Sequence, residues 1–131
     1  MSLENVKIIE RVYERWGRDR EIDPDEFHPG FEIRTPIMEL ENRRHRGYEG
    51  YKAWRALNDE VFTDNWFEAT EFVDLGERVL VTGWIRLTGR SSGLETREPA
   101  VQLWTFEDGK PSSMTAARTL EEALEAAGLR E

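Results

Sequence analysis

From Glu95 to Gly128 the chain spells out a strand, a tight turn, a second strand and a capped helix. Alternating apolar residues lead to Glu107-Asp108-Gly109-Lys110, and Asp-Gly is a favoured pair in two-residue hairpin turns. A second strand is predicted over Ser112 to Arg118. Thr119-Leu120-Glu121-Glu122 then reads as a capping box, because a Thr side chain can accept a backbone N–H three residues on. Leu120, Ala123, Leu124 and Ala127 supply the apolar side of that helix, and Gly128 stands where a left-handed C-terminal cap belongs.

The rest of the chain falls into place around this end. Leu3, Val6, Ile9, Val12, Tyr13 and Trp16 recur at helical spacing. Ser2 is the expected N-cap and Gly17 the expected stop. Asp23-Pro24 predicts a short helical turn inside a polar loop. Phe31, Ile33 and Thr35 alternate with Glu32 and Arg34, a short strand ended by Pro36. Ile37 to Arg46 reads as a loop with a basic end, Arg43-Arg44-His45-Arg46. Tyr51, Trp54, Leu57, Val61 and Phe62 give a second helical stripe. Strands are predicted over Trp66–Asp74, Val79–Gly89 and Glu95–Phe106. Two helices around a short strand, an antiparallel meander and a closing helix make an α+β fold. A bent sheet wrapped on helices leaves a cone with an open end, where a pocket would form. The 131 residues are expected to form a single domain, 1–131.

Composition narrows the partners. The net charge of −9 opposes nucleic acid and anionic lipid, so neither is expected as a partner. The absence of Cys excludes disulfides, thiolate metal sites and cysteine nucleophiles, and suits a reducing cytoplasm. No segment reads as a signal peptide or a membrane span. No phosphate loop or Gly-rich dinucleotide fingerprint is present, so no cofactor is expected. Two separated His residues, His28 and His45, give no metal pattern, and both lie in polar loops, where the fixed partner a catalytic His needs is not expected.

The series Glu4-Asn5-Val6 through Tyr13-Glu14, Phe31-Glu32-Ile33-Arg34-Thr35-Pro36, Arg46-Gly47-Tyr48-Glu49-Gly50, Val73-Asp74-Leu75-Gly76-Glu77-Arg78-Val79, Trp104-Thr105-Phe106-Glu107-Asp108-Gly109-Lys110 and Glu121 to Leu129 resembles the SnoaL-like branch of the nuclear-transport-factor-2-like superfamily. The series spans nearly the whole chain in order. The resemblance implies a cone-shaped α+β barrel with an apolar pocket, often in a homodimer built through the sheet. It does not imply one reaction, since the superfamily holds ketosteroid isomerases, polyketide cyclases, scytalone dehydratases, epoxide hydrolases and non-enzymes.

Residue by residue, the family chemistries fit poorly. The isomerase base position is matched by Thr35, whose hydroxyl is no general base near neutral pH. The isomerase oxyanion acid is matched by Gln102, whose amide can still donate a hydrogen bond. The epoxide-hydrolase pattern needs two carboxylates around an arginine; Arg118 is the charged inward candidate, Glu98 could stand at the rim, and no carboxylate partner is evident. A cyclase-type base could be Glu71 only if Phe67, Ala69, Glu71 and Val73 share the inward face; the opposite phase, with Trp66, Glu68, Thr70 and Phe72, fits about as well. Tyr13 could donate to a ligand carbonyl or pack in the core with its hydroxyl at an edge. Gln102 could serve a ligand or bond to nearby backbone. The Arg43–Arg46 cluster could cap the pocket mouth or be solvated loop.

The pocket is expected to be lined by Tyr13, Trp16, Ile33, Thr35, Trp54, Leu57, Ala100, Gln102, Trp104, Met114 and Arg118. That lining suits a small apolar molecule carrying a carbonyl or acid. No catalytic residue can be named. A cyclase, isomerase or dehydratase acting by enolate stabilisation and a non-catalytic binding or carrier module both remain open, ahead of a purely structural dimer. Alternation also puts Leu80, Trp84, Val101 and Leu103 on the outer sheet face, a sticky surface that a twofold homodimer would bury.

Overall fold

The first apolar stripe folds as expected, but its helix ends later. In the computed structural model, which describes residues 2–35 and 46–128, helix α1 spans Ser2–Asp19 and buries Ile9 and Val12. Gly17 is not its stop. A Cβ there would lie 3.5 Å from the Trp66 ring, an ordinary packing distance, so the position is simply one more helical residue beside that indole. The left-handed residue that ends the helix is Arg20, with φ 59°, and its N–H bonds the Trp16 carbonyl at 2.8 Å. A 3-10 turn follows at Pro24–Glu26, capped by the Asp23 carboxylate on the Asp25 N–H at 3.0 Å.

Strand β1 is Glu32–Arg34 and helix α2 is Gly47–Val61. Tyr51, Trp54 and Leu57 are buried as their stripe requires. Val61 and Phe62 depart from it: Val61 ends α2 and is exposed, and Phe62 already begins strand β2 (Phe62–Asp74). Of the basic loop, Arg46 alone is described, with Nε 3.0 Å from Glu32; Arg43, Arg44 and His45 lie outside the described residues. Strands β3 (Arg78–Gly89), β4 (Glu95–Glu107) and β5 (Lys110–Ala117) continue the meander. Asp108 and Gly109 both take positive φ, 54° and 78°, as a type I′ hairpin demands. The sheet order is β1-β5-β4-β3-β2, and it is mixed, because β1 joins β5 in parallel with Ile33 opposite Met114.

Neither predicted phase of β2 holds along its whole length. Phe67 pairs with Ile85 and Ala69 with Gly83, but the register shifts between Ala69 and Glu71, and Phe72 then pairs with Val81. Phe67 and Ala69 therefore face the core before the shift and Phe72 after it. Glu71 is exposed beside Thr82, so it is no internal base. One extra residue in a strand produces such a bulge and a sharper local twist. It depends on Gly83, where a Cβ would lie 2.0 Å from the Glu68 carbonyl oxygen.

Helices α1 and α2 fill the concave side of this open sheet, giving the cone-shaped α+β architecture. The convex side is not the bare apolar face expected. Helix α3 (Leu120–Ala126), capped by Thr119 on the Glu122 N–H at 3.2 Å, packs Ala123 over Leu80, Val101 and Leu103. Trp84 lies beyond that cover, half-buried, with the Arg97 guanidinium 4.2 Å from its ring centroid. Among the described residues no helix is long and apolar enough to cross a membrane.

Candidate functional site

The concave face leaves a cavity of about 810 Å³ that opens at one end of the cone, within the roughly 300–1,000 Å³ usual for small-molecule sites. Its wall is set by alternation on β4, which turns Glu98, Ala100 and Gln102 toward α1 and α2. Trp16 and Trp54 form the facing wall, with ring centroids 5.5 Å apart.

One polar chain crosses the floor. Trp104 donates its indole N–H to the Tyr13 hydroxyl at 3.1 Å, and the Tyr13 hydroxyl donates in turn to Gln102 Oε1. An indole nitrogen can only donate, so the single Tyr13 proton is directed to the amide oxygen. Gln102 is left with its NH₂ uncommitted among the described residues, on a side chain that lines the cavity. The amide bonds to a side chain, and so the alternative of a backbone-bonded Gln102 is not what forms. Burial holds the Tyr13 phenol far above its ordinary pKa, opposed in part by the Trp104 hydrogen bond. Tyr13 is thus a neutral relay near physiological pH and no general base.

A cluster of cations lies toward the mouth. The Arg20 carbonyl accepts the Tyr51 hydroxyl at 2.8 Å and Arg55 Nη1, which fixes the strained left-handed backbone of Arg20. The Arg20 guanidinium donates to the Asn65 carbonyl at 3.2 Å and lies 5.8 Å from the Trp66 ring centroid. Burial raises the Tyr51 pKa, and the Arg55 hydrogen bond pulls it down. The Nε–H groups of both arginines are buried and make no hydrogen bond, and the Thr35 hydroxyl is in the same condition. Arg34 lines the same mouth and pairs with Glu32 at 2.7 Å. Among the described residues the carboxylates at the cavity are Glu98 and Glu122, both exposed at its edge.

Of the residues expected in the lining, the cavity brings together Tyr13, Trp16, Thr35, Trp54, Ala100, Gln102 and Arg118, the last exposed. Ile33, Leu57, Trp104 and Met114 are not in that wall. They are core side chains, with Phe31 stacked on Trp104 at 6.0 Å and Met114 only 2% exposed. Strand alternation put Ile33, Trp104 and Met114, and the helical stripe Leu57, on the inward side, but sheet and helices pack together at that part of it. Sequence reasoning missed Arg20 and Arg55, which no apolar pattern or motif singles out. The signal for Arg55 was its place one helical turn after Tyr51.

His28, Glu107 and Asp108 come close enough to suggest a cation. His28 Nδ1, however, accepts the Gly30 N–H at 3.1 Å, which puts the imidazole proton on Nε2, 3.6 Å from Glu107 Oε1. A protonated nitrogen has no lone pair for a metal. The trio reads as a close surface contact of His28 with Glu107, beside the neighbouring Asp108 carboxylate.

No protein-family model matches the sequence, and no curated protein does. Solved structures do match the fold. TerC, co-crystallised with polyporic acid, is 26% identical with a TM-score of 0.72, over 93% of this chain and 98% of that one. A candidate SnoaL-like polyketide cyclase from Jannaschia sp. CCS1 is 25% identical with a TM-score of 0.67, over 98% and 94%. An NTF2-like protein of unknown function from Burkholderia pseudomallei K96243 is 20% identical with a TM-score of 0.73, over 94% and 96%. The chain therefore has the NTF2-like fold. The SnoaL-like branch recognised in its sequence is represented among the structures it matches.

Proposed function

We propose that this protein binds a small, largely apolar molecule through a carbonyl or acid oxygen, and that it holds the molecule without transforming it. The observation that carries this reading is the Gln102 amide, whose oxygen is taken by Tyr13 so that its NH₂ is left to donate. Trp16 and Trp54 offer flat apolar surface to the body of the ligand. The likeness to TerC, a protein crystallised with polyporic acid, supports a ligand of this general kind. Catalysis of the isomerase or cyclase kind needs a base inside the site. Thr35 and Gln102 occupy the positions where the family resemblance would put acids, and Glu98 and Glu122 stand in water at the edge.

A second reading, an enzyme that stabilises an enolate on Gln102, is favoured by Glu98, which shares the inward register of Ala100 and Gln102. The two readings part in one experiment. Polyporic acid and a panel of two-ring aromatic carbonyl compounds and acids are titrated against tryptophan fluorescence, and the bound compounds are recovered for mass analysis. Saturable quenching with unchanged compounds is expected. Replacing Gln102 by Leu should weaken binding about tenfold, the worth of one hydrogen bond. Recovery of a converted compound overturns the binding-only reading. Full affinity in Gln102→Leu overturns the role of the amide.

A further inference from the structure

The arginines at the mouth are out of keeping with the rest of the chain. The protein carries a net charge of −9, yet Arg20, Arg34, Arg55 and Arg118 line one cavity against Glu98 and Glu122, both solvent-exposed. Arg34 has Glu32 as its partner at 2.7 Å. Arg20 and Arg55 have no carboxylate partner among the described residues; what they bond is neutral oxygen, the carbonyls of Asn65 and Arg20 and the Tyr51 hydroxyl. Glu21, close in sequence, accepts the Tyr48 hydroxyl instead, at 3.4 Å. Each of the two guanidinium groups also keeps a buried Nε–H without a hydrogen bond. Charged groups sheltered from water in this way are usually paired. Nor is Arg20 placed there cheaply, since φ 59° at a helix end is where glycine is the ordinary choice.

We propose that the ligand is bound as an anion. Its apolar body lies between Trp16, Trp54 and Gln102, and a carboxylate, enolate or phenolate oxygen faces Arg20 and Arg55. This rests on the binding reading above and names the chemical class the site selects. Arginines so placed give a local attraction for anions inside an acidic protein, whose overall field would otherwise repel them. They also distinguish an acid from its neutral isostere, which a wall of aromatic rings alone cannot do.

The test compares 2-naphthoate with 2-naphthamide on the intact protein by tryptophan fluorescence. Naphthoate is expected to bind about tenfold more tightly or better, the margin of a charge-assisted over a neutral hydrogen bond. The margin should shrink as salt rises to about 1 M, where the screening length falls to about 3 Å. It should vanish in Arg20→Gln and Arg55→Gln and persist in Arg11→Gln, which removes the same charge from the exposed side of α1. Equal affinities, or a tighter amide, overturn the anion preference and leave the binding reading standing. Binding of neither compound overturns both. A margin that survives in both folded cavity variants overturns the assignment to Arg20 and Arg55. The wild-type comparison alone decides the anion preference should either variant fail to fold.

Discussion

Replacing Tyr13 by Phe removes one oxygen and breaks two hydrogen bonds at once. Trp104 loses the acceptor of its indole N–H, and Gln102 loses the donor to its amide oxygen. Trp104 is 3% exposed, so water cannot replace the lost acceptor, and a buried unsatisfied donor costs about 1–3 kcal/mol. Gln102 borders the cavity and can turn toward it, which limits its share to about 1 kcal/mol. The expected loss is about 2–4 kcal/mol, or about 7–14 °C in Tm for a chain of this size. Urea unfolding followed by tryptophan fluorescence measures it. The same variant should bind oxygen-bearing ligands several-fold more weakly, because the amide is no longer held with its NH₂ outward. Alkaline pH gives an independent check. Burial raises the folded-state pKa of Tyr13, so its contribution is complete below the unfolded value of about 10 and is lost as pH rises beyond it. Each pH unit above about 10 should remove up to about 1.4 kcal/mol through this one group, since the unfolded chain alone releases the proton. Tyr51, shifted in the same direction, adds to the slope. Tyr13→Phe should flatten the alkaline slope by one group. A Tm within about 2 °C of wild type, with ligand affinity unchanged, would refute the relay.

Three further variants probe the scaffold. Gly83→Ala forces a Cβ to within 2.0 Å of the Glu68 oxygen; the expected loss is about 3 kcal/mol, and a wild-type denaturation midpoint would show that the bulge tolerates a side chain. Arg20→Gly relieves a left-handed non-glycine residue by about 1 kcal/mol, so Tm should hold or rise while the preference for naphthoate disappears; a large fall in Tm would make Arg20 a packing residue. Sheet-to-sheet pairing of two copies can use only the part of the convex face that α3 leaves open, around Trp84 and Arg97. Trp84→Glu should therefore halve the mass seen in sedimentation, and either a monomeric wild type or an undisturbed dimer rules that seam out.

What the sequence displayed was whatever depends on neighbours along the chain. The α1 stripe, the Asp23-Pro24 turn, the Asp108-Gly109 hairpin and the Thr119 cap are each decided within a few residues, and each forms where its pattern stands. What it hid depends on contacts across the fold. Gly17 looked like a stop because a glycine after an apolar stripe usually is one, but the chain turns at Arg20, whose left-handed backbone is held from another helix by the Tyr51 hydroxyl and Arg55. Alternation on β2 could not be phased because the bulge changes it partway, and the residue that permits the bulge, Gly83, is on the neighbouring strand. Leu80, Val101 and Leu103 looked exposed because nothing local says that α3 folds back over them.

The candidate site divides along the same line, and that division bears on function. Tyr13, Trp16, Trp54 and Gln102 were legible because apolar periodicity and strand alternation point them inward. Periodicity ranks residues by hydrophobicity, so it finds the walls of a cavity and passes over its charges. Arg20 sits in a polar segment and Arg55 follows Trp54 off the apolar stripe of its helix, so no periodicity singles out either. They become a site only when the Arg20 carbonyl, turned by its left-handed backbone, collects both the Tyr51 hydroxyl and Arg55. Among the described residues the carboxylates at the cavity are Glu98 and Glu122, both exposed at its edge, whereas Arg20 and Arg55 border it with buried Nε–H groups. A site whose described residues supply donors and cations but no buried carboxylate suits an oxygen-bearing anion. It has nothing among its described residues, apart from the solvated Glu98 and Glu122 at its edge, with which to take a proton from it.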